Sequence, residues 1–428
     1  MEVKHILAFV TVILFFTILF LSKAPGKSYL TFTLICLPFI DLNLTSEQYG
    51  AFSVFDVISY TILLTVIKYF FNFEKRQNVH YFFISALTLV LLIGSITSEF
   101  IVNSIFDLLQ LFSIFIYARI LISECLQDSG FFDSVIKCLK ISAIFSLLFL
   151  VIQLFVGTTF TFYPDLNPNV SIVSDTIRYP SYFQDPQKFG QYLSMLCFVF
   201  LIKSQFKKSV GILNIFFFSI MILAVLLTGA RAAFLGCCVG LSIIIFSKKK
   251  SNLAPFAFIS VLLYLLVTSF SEYFSFFNRS DDFDSSVEIR NQIWNEGFQI
   301  FFEHPFLGIG IGNHHNYILE HSLDGYYLIN NEIIFYGTES GYLQLLIEYG
   351  IFGFIIALLI ILTPVILATL SFRKYKDSNT IVLLASTVSW LVAFVTVNSL
   401  SDKRIFVILT TLLSLLIVFK NKHRATHG

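Results

Sequence analysis

The sequence contains few charged residues. Only 13% of its 428 residues are Asp, Glu, Lys or Arg, whereas 56% are hydrophobic. A soluble domain carries about 25% charged residues, so this chain lacks the surface that water requires. The composition excludes an ordinary soluble domain and favours a membrane protein. A net charge of +1 also excludes an overall basic surface, so nucleic acid is not an expected partner.

Residues that bind metals are also scarce. The chain has six cysteines, which lie in apolar runs or in a short loop, so the sequence predicts no disulfide framework and no thiolate metal site. Half of the eight histidines are clustered, but their spacing matches no common zinc motif. These are His304, His314, His315 and His321. We therefore expect no metal and no cofactor.

The sequence does contain many apolar runs that are long enough to cross a bilayer. They lie near 6–22, 29–42, 52–72, 81–98, 101–124, 137–157, 189–203, 212–228, 232–247, 253–270, 350–371, 380–399 and 404–419. The run at 29–42 is short and contains Pro38 and Asp41, so it is either a span or a re-entrant segment. The sequence predicts an all-α polytopic membrane protein, one integral domain over residues 1–428 with about 12 or 13 transmembrane helices.

The basic residues predict the orientation of these helices. Most lysines and arginines lie in the loops after the odd-numbered runs and in the C-terminal tail, which the positive-inside rule places in the cytoplasm. Two polar segments, 158–188 and 271–349, then lie outside, and we expect them to carry the active site. The larger one contains "SSVEIRNQIWNEGFQIFFEHP", whose apolar residues recur at helical spacing. This pattern predicts an amphipathic helix against the membrane surface.

Three external arginines are candidates for binding an anion, because a planar guanidinium can bind two phosphate oxygens at once. Arg231 lies in "LLTGARAAFLG", between two apolar runs, where an arginine at membrane depth costs roughly 2.5–3.5 kcal/mol. Arg178 lies in "RYPSYFQDPQKFGQYL", in which Asp185 and Pro186 are typical of a turn or a helix start. Arg290 belongs to the amphipathic helix. Each arginine also fits a simpler interpretation as a solvated or snorkelling charge.

Two further patterns in the larger external segment have alternative interpretations. Gly308, Gly310 and Gly312 alternate with apolar residues, but the strand and helix of a dinucleotide-binding loop are missing around them. Glu339 stands at the mouth of the eleventh run, in "TESGYLQLLIEYGIFGFIIALL". It is either a general base in a cleft lined by arginines or an acid of the first helical turn, where the helix dipole favours negative charge.

Taken together, four stretches resemble the superfamily of O-antigen polymerases and O-antigen ligases, which are bacterial inner-membrane glycosyltransferases. In order, they are "RYPSYFQDPQKFGQYL", "LLTGARAAFLG", "RNQIWNEGFQIFFEHPFLGIGIGN" and "ESGYLQLLIEYGIFG". The resemblance implies a fold of the GT-C kind that transfers glycans from undecaprenyl pyrophosphate at the outer leaflet, without nucleotide sugar or metal. It also implies contact with membrane lipids and, as partners, a chain-length regulator and a flippase of the same pathway.

The resemblance implies roles for particular residues. Arg178 and Arg231 would bind the donor pyrophosphate and stabilise its developing charge as it leaves. Glu339 would act as the base or orient the acceptor hydroxyl. The further residues expected to bind substrate are Arg290, His315 and Tyr342.

The segment at the eleventh run departs from the ligase pattern. In the ligase branch the stretch like "ESGYLQLL" begins with His-Asn, whereas Glu339 and Ser340 stand there in this chain. The nearest His-Asn is His315 with Asn316, which lacks the "LQLLIEYGIFG" context. The sequence therefore favours a polymerase that makes O-antigen or a related surface polysaccharide. The alternatives are a ligase that transfers the glycan to a lipid A core and, from another class, a glycan-lipid transporter or flippase, for which no internal repeat is visible.

Overall fold

The computed structural model describes residues 3–44, 52–65, 78–128, 130–162, 172–173, 176–204, 210–247, 283–321, 326–329, 332–335 and 338–427. Within these residues the chain forms fourteen α-helices. They are α1 (Val3–Leu21), α2 (Pro25–Ile35), α3 (Val54–Thr65), α4 (Asn78–Thr97), α5 (Ile101–Gln127), α6 (Phe131–Val156), α7 (Pro186–Val199), α8 (Ile212–Leu227), α9 (Arg231–Ser247), α10 (Phe283–Glu303), α11 (His314–Glu320), α12 (Gly341–Tyr375), α13 (Ser378–Ala393) and α14 (Lys403–His427). The span predicted at 253–270 and part of the one at 52–72 lie outside the described residues.

The helices are those of a membrane protein. Four of the described helices are long and apolar enough to cross a membrane, namely α1, α5, α6 and α12. Shorter apolar helices accompany them, namely α3, α4, α8, α9 and α13. This confirms the predicted all-α polytopic fold, and the count of 12 or 13 spans stays a prediction. The amphipathic helix is also present, as α10.

The strands among the described residues form two short hairpins. Strands β1 (Ile172–Val173) and β2 (Thr176–Ile177) pair antiparallel in the first predicted external segment. Strands β3 (Tyr326–Ile329) and β4 (Glu332–Phe335) pair antiparallel in the second, with Tyr326 opposite Phe335. Both hairpins therefore belong to the connections, and the packed body of the protein is helical.

The apolar run predicted at 29–42 is not one continuous helix. Helix α2 ends at Ile35, and a short 3₁₀ helix, Leu37–Phe39, follows it. Pro38 has no amide hydrogen to continue an α-helical hydrogen-bond ladder, which accounts for the change of conformation. The run is therefore too short and too bent to be an ordinary transmembrane helix.

Close packing between α9 and α13 depends on two glycines. A Cβ added at Gly236 would lie 2.3 Å from the carbonyl oxygen of Ser389, and one added at Gly240 would lie 2.9 Å from that of Ala385. Small residues let helix backbones approach in this way in membrane proteins. As a result, the start of α9 is held firmly against the rest of the bundle.

Contacts between helix termini define two ends of the bundle. At one end, the Lys403 ammonium lies 3.7 Å from the Asp56 carboxylate, and α3, α7, α9, α12 and α14 begin there. At the other end, Lys27 pairs with Asp128 at 2.6 Å. We call the first the site end and the second the opposite end. The residues that the sequence predicted to lie outside, such as Arg231 and Glu339, belong to the site end. The loops rich in lysine and arginine, where the structure describes them, belong to the opposite end.

Candidate active site

The corner between α8 and α9 presents Arg231. Gly229 has a φ of +66°, a conformation that glycine adopts without strain, and the Thr228 hydroxyl accepts a hydrogen bond from the Ala230 amide at 3.2 Å. Arg231 is the first residue of α9, and its side chain is exposed. The amino end of a helix attracts anions, and so does a guanidinium. The corner thus combines two sources of positive potential.

Arg178 is bound to the same corner. Its Nε donates a hydrogen bond to the Thr228 carbonyl oxygen at 2.9 Å, and the side chain is 3% exposed. The amide of the next residue, Tyr179, donates to the Leu227 carbonyl oxygen at 3.4 Å. Two arginine segments that are far apart in sequence therefore meet at one place.

Gly190 explains why these segments approach so closely. It lies in the second turn of α7, directly under the corner, where an added Cβ would be 2.5 Å from the Ala230 Cβ and 2.8 Å from the Thr228 hydroxyl. A Cβ does not approach other non-bonded heavy atoms this closely in proteins. A residue larger than glycine would push the corner away from the segment that carries Arg178.

Glu339 is paired with Arg290. The Arg290 Nε donates to the Glu339 Oε2, and the two side chains are 33% and 29% exposed. The cap of α12 is a different residue, Ser340, whose hydroxyl accepts the Leu343 amide at 3.4 Å. Glu339 therefore precedes the cap, and the interpretation of Glu339 as an acid of the first helical turn is wrong.

The backbone at Glu339 is held in an unusual conformation. Its φ is +46°, in the left-handed region that costs a non-glycine residue on the order of 1–3 kcal/mol. The neighbouring Thr338 is fixed from two sides. Its carbonyl oxygen accepts the Trp294 indole at 3.0 Å, and its hydroxyl donates to the Gln344 amide oxygen at 3.0 Å. These bonds aim the Glu339 carboxylate towards Arg290.

Asp185 lies within the electrostatic reach of both Arg178 and Glu339, which the sequence did not predict. As predicted, it starts a helix, because its Oδ1 accepts the Gln187 amide at 2.7 Å at the cap of α7. Burial raises the pKa of the Asp185 carboxyl above its usual range. Lys188 and Arg178 counter that shift, whereas Glu339 adds to it. Only the i, i+3 spacing of Asp185 and Lys188 signals in the sequence that these charges share a helix face.

His315 lies near Lys188. Desolvation of the ring and, second, the positive charge of Lys188 lower the pKa of the His315 imidazole. The Lys188 ammonium also donates to the Ser401 hydroxyl at 3.1 Å. His315 thus shares the site end with Asp185, and its predicted part in substrate binding stays a prediction.

Tyr342 lies in the first turn of α12. Its hydroxyl donates to the Leu391 carbonyl oxygen at 3.0 Å, and its ring packs edge-on against Phe394. These contacts join α12 to α13 next to Glu339. Substrate binding by Tyr342 stays a prediction.

The alternating glycines of "LGIGIGN" bridge a break in α12. Gly350, with a φ of +61°, interrupts that helix and exposes backbone groups on both sides of the break. The Ile351 amide donates to the Pro305 carbonyl oxygen at 2.9 Å, and the Gly310 amide donates to the Glu348 carbonyl oxygen at 3.2 Å. The segment therefore replaces hydrogen bonds that the helix has lost.

Only glycine fits at this crossing. A Cβ at Gly308 would lie 2.5 Å from the Glu348 carbonyl oxygen, and one at Gly350 would lie 2.3 Å from the Phe306 carbonyl oxygen. Because the segment follows α10 directly, the crossing fixes α10 against the start of α12. This arrangement places Arg290 beside Glu339.

Arg404 holds the segment that precedes α7, a role that nothing in the sequence indicated. Its guanidinium lies 2.6 Å from the Asp402 carboxylate and 3.1 Å from that of Asp41. Its Nη1 donates to the Tyr182 carbonyl oxygen at 2.8 Å, and its Cζ lies 4.1 Å from the centre of the Phe183 ring. Arg404 thus anchors the segment between Arg178 and Asp185.

The fold and the site define a helical membrane protein whose charged residues converge at one end of the bundle. Residues 216–358 match a family model described as O-antigen ligase. This match confirms the resemblance to the superfamily of O-antigen polymerases and ligases, whose members transfer glycosyl groups. The matched range contains the predicted site residues except Arg178. A comparison with curated proteins found no match.

Proposed function

We propose that the protein is a polymerase of undecaprenyl-pyrophosphate-linked oligosaccharide units at the outer face of the bacterial inner membrane. The observation that carries the proposal is the bond between Arg178 and the corner that presents Arg231. A lipid pyrophosphate lies at headgroup depth, where a transmembrane corner would meet it. Two guanidinium groups at that depth suit a donor whose leaving group is an anion.

In this mechanism the two arginines act on the donor. The bond from Arg178 to Thr228 sets the plane of one guanidinium, and the N-terminal position on α9 sets the other. As the bond between the sugar and the pyrophosphate breaks, negative charge grows on the pyrophosphate oxygen. Positive groups that are already in place stabilise that charge without further rearrangement.

Glu339 and Arg290 act on the acceptor. The ion pair fixes the carboxylate, and a fixed carboxylate is a strong hydrogen-bond acceptor for a sugar hydroxyl. Arg290, His315 and Tyr342 line the same end of the bundle and would contact the sugars. The acceptor hydroxyl is then oriented towards the donor sugar.

The polymerase is favoured over the ligase by the residues before α12. The ligase branch carries a histidine where this chain has Glu339, and Ser340 is occupied as the helix cap. His315 and Asn316 stand instead on the separate helix α11. The ligase remains the second candidate, because the matched family model is described as O-antigen ligase.

Glycan analysis of a deletion strain tests the function. If the protein is the polymerase, the lipid A core should carry a single repeat unit. Bare core with accumulated lipid-linked polymer would indicate the ligase. Bare core with accumulated single lipid-linked units would indicate a transporter, and an unchanged polymer would contradict all three functions.

The proposal requires the site end to face outward. A cysteine introduced at the exposed Glu320 should react with a membrane-impermeant thiol reagent in spheroplasts, and one at the exposed Lys374 should react only after lysis. The parent chain, with its own six cysteines, gives the background. Labelling of Lys374→Cys alone would place the site in the cytoplasm.

A further inference from the structure

The carboxylate of Asp185 is less engaged than that of Glu339. Its Oδ1 accepts the Gln187 amide at 2.7 Å, and its Oδ2 accepts no hydrogen bond from the part of the chain that the structure describes. No ion pair with Asp185 occurs among those residues either. Glu339, in contrast, is bound directly by the Arg290 guanidinium. Among the described residues, one oxygen of Asp185 is therefore left open to a ligand.

Asp185 also has the right surroundings for accepting a proton. The charges of Arg178, which is proposed to bind the donor, and of Glu339, which is proposed to orient the acceptor, both act on it. Its side chain is half-buried, and burial raises the pKa of the carboxyl, with Lys188 and Arg178 opposing the shift and Glu339 adding to it. Raised basicity suits a general base, whereas a carboxylate held by a guanidinium is a poorer one.

We propose, on the basis of the function proposed above, that Asp185 is the catalytic base and that Glu339 orients the acceptor. The proton of the acceptor hydroxyl moves to Asp185 Oδ2 while the hydroxyl oxygen forms a bond to the anomeric carbon of the donor sugar. The bond from that carbon to the pyrophosphate oxygen breaks, and its electron pair stays on the pyrophosphate. The products are a new glycosidic bond, lipid pyrophosphate and protonated Asp185, which returns its proton to water.

Asp185→Asn separates the chemical role from the structural one. Asparagine caps helices as well as aspartate does, so the start of α7 should be preserved, and serine provides a second variant that also caps. We expect Asp185→Asn to lower kcat by about 10²-fold with little change in KM. Glu339→Gln should lower activity by about tenfold through a loss of one charge-assisted bond, and mainly through KM.

The pH profile of kcat distinguishes the two carboxylates. In the parent, kcat should fall towards acid pH as Asp185 becomes protonated, because only its ionised form accepts a proton. That acid limb should disappear in Asp185→Asn and persist in Glu339→Gln. The measurement uses purified protein in liposomes with lipid-linked repeat units extracted from the deletion strain.

A matched control exists at the opposite end. Asp377 is the N-cap of α13, and its Oδ2 accepts the Thr380 amide at 2.8 Å, so Asp377→Asn should behave as the parent. Parent kcat in Asp185→Asn, or an acid limb that persists in it, would overturn the assignment. Unfolding of Asp185→Asn and Asp185→Ser beside a stable Asp377→Asn would also overturn it. A parent that makes no polymer would instead contradict the proposed function.

Discussion

The two ends of the helix bundle hold their charges differently. At the site end, Arg404 and Asp402 are 1% and 4% exposed, whereas at the opposite end Lys27 and Asp128 are 35% and 46% exposed. Burying an ion pair costs desolvation energy that its attraction often does not recover, and an exposed pair contributes little. The difference indicates that the site end is organised to hold charges in fixed positions. The basic loops of the opposite end are those for which the positive-inside rule predicts a cytoplasmic location.

The opposite end also contains a buried cation, Arg119. Its guanidinium packs over the Tyr81 ring, 4.6 Å from the ring centre, and the side chain is 8% exposed. At the site end, the buried Arg404 is held by the carboxylates of Asp402 and Asp41. The predictions below test this contrast.

Removing the buried cation of the site end should have the largest effect. Arg404→Ala leaves the Asp402 and Asp41 carboxylates next to each other without their shared partner, and breaking a buried pair costs about 3–5 kcal/mol. Thermal unfolding in detergent measures the loss. The matched control is Lys27→Ala, which should unfold near the parent temperature because its pair is exposed. Equal losses of stability in the two variants would show that the ion pairs of the two ends contribute alike.

Replacing the corner arginine should reduce activity with the fold intact. Arg231→Lys keeps the charge, but an ammonium cannot bind two phosphate oxygens in the geometry of a guanidinium, so polymer formation should fall by about 10²-fold. The rate is compared at equal protein level. Arg373→Lys makes the same change at the exposed opposite end and should have parent activity. A fully active Arg231→Lys would reduce Arg231 to a membrane anchor.

The crossing at the break of α12 should tolerate no side chain. Gly350→Ala introduces a Cβ 2.3 Å from the Phe306 carbonyl oxygen at a positive φ, so we expect a loss of about 1–3 kcal/mol in stability. Activity should also fall, because the crossing places Arg290 beside Glu339. Gly211→Ala, where the added Cβ meets no atom within 4 Å, is the control at the opposite end. Parent-like unfolding of Gly350→Ala would show that the break can relax.

Acid should weaken the site end through a buried histidine. His314 is 3% exposed, and burial lowers its pKa from 6.5 to about 3, with His315 adding to the shift. Between these values the unfolded chain binds a proton that the folded chain does not, so stability is complete above pH 6.5 and falls as the pH decreases. One unit below 6.5 the loss is about 1.4 kcal/mol.

The variant His314→Gln isolates this contribution. Its stability should depend less on pH than that of the parent between pH 6.5 and about 3, as measured by thermal unfolding across that range. The difference between the two curves removes the contributions of the other titrating groups. Parallel curves would mean that the His314 ring is accessible to protons in the folded protein.

Local patterns were sufficient for several features of this protein. Helical spacing of apolar residues predicted α10, and Asp185 with Pro186 predicted the start of α7. Four ordered motifs predicted the resemblance to a superfamily, which the family-model match over 216–358 supports. These features depend on residues close together in the sequence, where hydrophobic period and capping chemistry act directly.

Features that join distant segments could not be predicted in this way. Nothing in "LGIGIGN" indicates that this segment binds the backbone at the break near Gly350, about forty residues later. Hydrogen bonds between backbone groups do not depend on particular side chains, so they leave no pattern in the sequence. In the sequence, Glu339 fitted both an acid of the first helical turn and a residue of the active site, and only the structure shows that Ser340 is the cap and that Glu339 pairs with Arg290. In each case the local residue type was compatible with two environments.

The sequence by itself determined that this is a helical membrane protein and which motifs carry its charges, because hydropathy and residue spacing are properties of single segments. Only the tertiary structure decided which charges meet. Arg178 reaches the corner of Arg231 because glycines let α7, α9 and α13 approach closely, and Arg290 reaches Glu339 because a backbone crossing ties α10 to α12. Electrostatic interactions act over a few ångströms, so chemistry at the site depends on packing that no single segment encodes.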